Sequence, residues 1–414
     1  MAIRWVRRVF HAGWERNVVV TGVSQFFSIM GFAFALPFAP YYMQDQLGVT
    51  DPARLKFWVA LFGAATPLSL ALFSPLWGHL ADRYSRRLML LRANFAGAAI
   101  VMLMGLVRSV EALCLLRLMQ GMFTGTMTAA QTMVSVQAPP HRSGQALGAL
   151  TAAVFSGSLT GAFVGGVVAD WFGYRAAFLV GGAFLLVSGL LVALWTTEDA
   201  PGAPHAPEAR AADERLAGQG VLPVLLLFGL LSFVRQFDVS FLPLLVQDIH
   251  GGLAGASIRT GALNASGGIA GLLAALVVGR VADRSTPARL AVLLTLGAGL
   301  LMAPQAWTRT FGFLFPVRFA MVFCTGALDP VMQIWLTRIT PVRRRGAVFG
   351  WAGTMRSAGW FLAPLGSGLV AARYGIRSIF LVGGLLFALV LPAIRWAERS
   401  RREPVDPTGP RPTR

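Results

Sequence analysis

Charge is what this chain has least of. Only 13% of its 414 residues are charged, against roughly a quarter in soluble proteins, while 55% are hydrophobic and mean hydropathy is +0.62. Such a composition excludes water as the main solvent and points to a bilayer. Lysine is nearly absent: Lys56 stands alone against 35 arginines, which with the abundant Ala and Gly reads as genomic bias. The two cysteines, Cys114 and Cys324, lie apart inside apolar runs, which excludes a disulfide framework and a thiolate metal site. Five scattered histidines, no H-E-x-x-H, no phosphate loop and no sizeable polar domain disfavour a membrane enzyme or a receptor and imply no cofactor or metal. Alternating ten-residue patches are missing as well, which excludes a membrane β-barrel.

What is present is a series of apolar runs of about 20 residues, the length an α-helix needs to cross a bilayer while satisfying its own backbone. Twelve such spans are expected, near 17–42, 55–81, 87–108, 111–137, 144–171, 175–196, 221–247, 256–282, 287–307, 312–338, 346–371 and 375–396. The first follows "MAIRWVRRVFHAGWER", which lacks a small-residue cleavage site, so it is expected to be retained. The stretch 197–220, rich in Pro, Ala and mixed charge, cannot bury a core and reads as a cytoplasmic linker. It divides a six-helix bundle over 1–196 from a second over 221–414, the latter ending in a cytoplasmic tail. The fold class expected is therefore an all-α integral membrane protein.

The net charge of +18 could suggest nucleic acid, but the arginines sit in short gaps between apolar runs rather than on a soluble basic face. With the N-terminus inside, 24 of the 36 basic residues fall at inner gaps or the two ends, and 8 at outer ones. Positive loops stay cytoplasmic, so both termini are expected inside a bacterial inner membrane. The halves also repeat at an offset of 201 to 202: Arg117 aligns with Arg318, Gly125 with Gly326, and "GYRAAFLVGG" with "GIRSIFLVGG". Six spans separate the copies, so both run in the same direction, as in transporters that alternate access between two halves.

Charge knots mark the inner gaps. "GHLADRYSRRLMLL" places Gly78, Asp82, Arg83, Arg86 and Arg87 between the second and third spans, and "GRVADRSTPARLAVLL" repeats Gly279, Asp283, Arg284 and Arg289 in the second half. An acid there works against positive-inside retention, so Asp82 is expected to accept from backbone N–H groups at a neighbouring helix N-terminus. The fourth span carries "RLMQGMFTGTM", with Arg117, Gly121 and Gly125. The fifth carries "GSLTGAFVGG", where Gly157, Gly161 and Gly165 recur every four residues and Gly166 follows. Its mate "GWFLAPLGSG" has Pro364 where the fifth span has Ala162.

These motifs resemble those of the major facilitator superfamily, and within it the twelve-helix drug:proton antiporters. The resemblance covers nearly the whole chain. It implies that Asp82 latches onto the start of the eleventh span, near Arg345 and Gly346, and that the glycines of the fifth span belong to an antiporter packing motif. Ser85 replaces the usual glycine of the first motif, so a turn that is strained or differently shaped is expected there. The first span also lacks the acid that many members carry.

Two acids and four arginines lie within spans: Asp238, Asp329, Arg117, Arg235, Arg318 and Arg356. An ionisable group at membrane depth is functional by default, and a carboxyl taken out of water can trade a proton with conformation. Asp329, Asp238, Arg356, Arg235 and Arg117 are the proton-coupling candidates. Arg235 is the expected partner of Asp238, three residues on, and Arg356 that of Asp329. Together these residues predict a monomeric, proton-driven exporter of small amphiphilic molecules, energised by the gradient rather than a cofactor. The net +2 inside the spans also leaves open a transporter of a defined metabolite or organic anion.

Overall fold

The helices bend and break where proline and glycine leave the backbone no alternative. The computed structural model describes residues 13–83, 85–139, 142–196, 221–282, 285–340 and 345–399. The first span runs Gly13–Ala35, tightens into a 3-10 turn Leu36–Phe38 and resumes as Ala39–Asp45. Pro37 and Pro40 each lack the N–H that an unbroken helix would need. The seventh span repeats this plan, with Val221–Gln236, a turn at 237–241, and Leu242–His250 starting around Pro243. The fourth divides at Gly125 (φ +133°), between Val110–Phe123 and Thr126–Gln137, and the tenth at Ala327, between Phe311–Gly326 and Leu328–Ile339. Breaks thus fall in the first and seventh spans and again in the fourth and tenth, as a duplicated unit requires.

The remaining spans are Pro52–Arg83, Arg86–Leu106, Ser143–Phe172, Tyr174–Trp195, Ala256–Ala282, Pro287–Met302 with its 3-10 extension Ala303–Trp307, Arg345–Tyr374 and Ser378–Arg399. Among the described residues, nine stretches are long and apolar enough to cross a membrane. The fourth, seventh and eleventh spans fall short of that measure. Two of them are interrupted, and the eleventh carries Arg356 at mid-length. Spans that pack against other helices rather than lipid can be less apolar than a bilayer demands.

Packing follows the repeat. The first span lies against the fifth as the seventh lies against the eleventh, the third against the sixth as the ninth against the twelfth, and the second against the fourth as the eighth against the tenth. The two halves meet along equivalent seams, the fifth span on the eighth and the second on the eleventh. Small residues make these approaches possible. A Cβ added at Gly157, Gly161 or Gly165 would strike the carbonyl oxygens of Phe26, Met30 and Phe34, so one glycine face rides along one carbonyl row of the first span. Gly166, one residue round the helix, abuts Ser257 of the other half instead. Ala162 and Pro364 occupy the two seams, against Gly261 and Gly63. The fifth span stays a continuous helix past Ala162.

Candidate functional site

Between the halves lies a cavity of about 450 Å³. Phe32 and Met43 from the first span and Phe62 from the second give it an aromatic and thioether wall. Ser158, Gln236 and Asn264 add polar points from the fifth, seventh and eighth spans. Arg117 also faces it, so the guanidinium is turned to the interior rather than toward an outer membrane interface. Its Nη1 donates to Gln120 Oε1 at 2.5 Å, its carbon centre sits 4.8 Å from the Phe62 ring, and its buried Nε has no partner. An aromatic face stabilises a cation, but it does not neutralise one.

Besides the exposed Arg377–Asp248 pair, the described residues of the second half hold two ion pairs, and both differ from the sequence expectation. Asp238 pairs with Arg318, the repeat mate of Arg117, and not with Arg235. Asp329 pairs with Arg235 at 2.5 Å, and not with Arg356, whose guanidinium instead lies 5.6 Å from the Trp360 ring. The reason is the interruption at 237–241, which breaks the helical register that would have stacked Arg235 beneath Asp238. The pairs also differ in access. Asp238 is 0% exposed, with Oδ1 unpartnered, whereas the Asp329 side chain is 26% and that of Arg235 20% exposed. One pair is sealed and the other only partly buried.

One end of the cavity is bolted by hydrogen bonds that cross between halves, at the end bearing loops 46–51 and 251–255. The Tyr41 hydroxyl bonds to the Pro243 carbonyl at 2.5 Å and to Thr260 Oγ1 at 2.8 Å. Gln44 and Gln247 exchange reciprocal amide bonds of 2.8 and 2.9 Å. Asp170 Oδ2 accepts from the Ile258 N–H at 3.0 Å, placing a carboxylate on the N-terminus of the eighth span, where a helix favours negative charge. Sequence reasoning passed over these residues. The signal was available, since Gln44 and Gln247 are themselves repeat mates 203 residues apart.

Breaking this bolt should expose the cavity from that end. In a Cys114→Ser, Cys324→Ser background, Ser240→Cys puts a thiol on the cavity wall. Adding Asp170→Ala and Gln44→Ala should raise maleimide labelling from the bolted side at least about tenfold, because the bond to the Asp170 carboxylate is worth about 1.5–3 kcal/mol and each neutral amide bond of Gln44 about 0.5–1.5 kcal/mol. Unchanged labelling would show that packing alone closes this end.

The charge knots are only partly within view. Gly78, Asp82, Arg83, Arg86 and Gly279 stand on helices, but their side chains fall outside the described ones, and Asp283 and Arg284 lie outside the described residues altogether. Of the two alternatives for Ser85, the turn is differently shaped rather than strained: Ser85 is extended backbone (φ −168°) whose hydroxyl accepts from the Leu88 N–H at 3.1 Å, an N-cap for the third span. Arg87 ties that span to the end of the sixth, donating to the Ala193 carbonyl at 2.6 Å and to Thr196 Oγ1 at 3.3 Å.

The sequence model of the Major Facilitator Superfamily matches residues 21–308 and 255–414. The chain belongs to that superfamily. Within it, the chain is 32% identical over 376 residues to the multidrug resistance protein MdtG of Enterobacter lignolyticus, covering 90% of each, and 32% identical to MdtG of Klebsiella pneumoniae, covering 90% of this chain and 92% of that one. Its fold is similar to a crystal structure of a variant of the nucleoside transporter NupG (TM-score 0.78, 15% identity, 92% and 99% of the two chains). It is similar also to that of a D-xylose–proton symporter (TM-score 0.76, 15% identity, 92% and 97%). Twelve helices in two pseudo-symmetric bundles, as the superfamily builds them, account for the paired breaks and the seams.

Proposed function

We propose that this chain is a proton-coupled exporter of small amphiphilic compounds, working as a monomer by alternating access across a bacterial inner membrane. Support comes from the multidrug resistance proteins it resembles along nine-tenths of its length and from a cavity whose wall is mostly apolar with a few polar points, suited to loosely specified ligands. The arginine distribution supports an orientation with both termini and the linker 197–220 in the cytoplasm. The bolted end is then the outer one, and residues 1–196 and 221–414 rock about the cavity. Asp82, at the inner end of the second span, serves as the latch of the opposite state, and the knot around Asp283 and Arg284 is its worn counterpart.

The observation that carries the coupling is the Arg235–Asp329 pair, an ion pair at membrane depth that is only partly buried. Protonating Asp329 cancels the attraction and frees Arg235, and the pair re-forms when the proton leaves on the other side. A ligand that favours one state then drives, or is driven by, the proton. In everted vesicles the uptake of substrate should collapse when the proton gradient is dissipated. Asp329→Asn should insert and fold normally yet show no proton-driven uptake, while exchange of substrate across the membrane survives. Gradient-driven uptake that persists in this variant would remove Asp329 from the mechanism.

A further inference from the structure

The repeat shows what Arg117 is missing. Aligning "FALPFAPYYMQD", 34–45, with "FDVSFLPLLVQD", 237–248, superimposes two Phe, Pro, Gln and Asp at an offset of 203. Ala35 is then the mate of Asp238 and Phe32 the mate of Arg235. The offset of 201 that pairs Arg117 with Arg318 makes Thr128 the mate of Asp329. Four ionisable side chains form two ion pairs in the second half; the first half retains one of the four. Arg318 has its carboxylate. Arg117 has a glutamine, a phenyl face and an unpartnered Nε, and no carboxylate among the described residues lies within ion-pair distance of it. Among the described residues it is also the only charged one on the cavity wall, and none of those lining it is an acid.

A buried cation without a counter-ion is costly, and the cost persists only where something else supplies the charge. We infer that the ligand supplies it: Arg117 is the subsite for an anionic group, a carboxylate in the simplest case, on the exported amphiphile. The carboxylate takes the place at Arg117 that Asp238 takes at Arg318. The apolar body of the ligand lies against Phe32, Phe62 and Met43, and Ser158, Gln236 and Asn264 remain for its other polar atoms. An Arg fork matches a carboxylate in shape as well as charge. The duplicated halves have thus divided the work, one keeping an acid for the proton and the other giving up its acids for the ligand. This inference rests on the export reading above and names the charge of its substrate.

The test uses three fluorescent probes sharing one dansyl-alkyl body and ending in a carboxylate, a primary amide or a trimethylammonium group. Their binding to the purified full-length chain and their gradient-driven transport in proteoliposomes are both measured. The carboxylate should bind about ten- to a hundredfold more tightly than the amide, the span expected for one charged hydrogen-bonded contact. Ala35→Asp installs the missing counter-ion and should abolish that preference while amide binding is kept. Arg117→Gln should abolish it as well, so the inference does not hang on the folding of one variant. Equal binding of carboxylate and amide, or tightest binding of the ammonium probe, overturns the anionic subsite and leaves export standing. If none of the three probes is transported, the export reading falls and the subsite with it.

Discussion

Asp238→Leu should unfold this protein where Asp329→Asn does not. Asp238 is wholly buried and Arg318 nearly so, and each is the other's only counter-charge among the described residues. Removing one partner of a buried pair strands the other, at about 3–5 kcal/mol, a sizeable part of a membrane protein's margin. The double replacement Asp238→Leu, Arg318→Met takes out both charges with similar volume. It should recover most of that loss, since an apolar pair needs no desolvation. Thermal unfolding in detergent, followed by tryptophan fluorescence, reads the cycle: a large drop for each single variant and near-parental melting for the double. The double also separates structure from transport. If it melts like the parent and still couples uptake to the gradient, the sealed pair is a structural pin, and the proton belongs to the exposed acid. A stable double variant that no longer couples would move the proton to Asp238.

How the two pairs came to be crossed could not be read from the sequence, and the reason is local. Spans, their number and their repetition are written in runs of apolar residues and in identical words such as "FLVGG", which survive errors of several residues at each boundary. The glycine face of the fifth span was equally plain, because a spacing of four on a helix fixes a face. Which span that face would meet was not plain; only the packing against Phe26, Met30 and Phe34 supplied it. Partner choice for Asp238 assumed an unbroken helix from Arg235, and five residues of turn at 237–241 removed that premise. Pro243, which marks the restart, was visible all along, as was Pro37 in the first span. Residues of the bolt, Tyr41, Gln44, Asp170 and Gln247, looked ordinary because nothing in a single helix reveals contact across a seam. The repeat would have flagged Gln44 and Gln247 had identical polar residues been sought at the duplicate offset.

The other large effect concerns space rather than charge. Gly165→Ala adds one methyl group, yet its Cβ would fall on the backbone carbonyl of Phe34, a contact that no side-chain rotation can relieve. The first and fifth spans must then move apart along their whole shared face, since Gly157 and Gly161 seat the same helix on Phe26 and Met30. Overpacking against backbone costs about 3 kcal/mol or more, the upper end for such substitutions. In lipid the penalty has no hydrophobic compensation, because these helices are held by close packing alone. Gly353→Ala is the matched control: it lies on a helix with nothing within 4 Å of the added Cβ, and there alanine gains about 0.5–1 kcal/mol in helix propensity. The same chemical change should therefore lower the melting temperature sharply at one site and leave it level or slightly higher at the other. Should Gly165→Ala melt with the parent, the first span is not seated on this glycine face, and the proposed rocking of the first half as one rigid unit loses its basis.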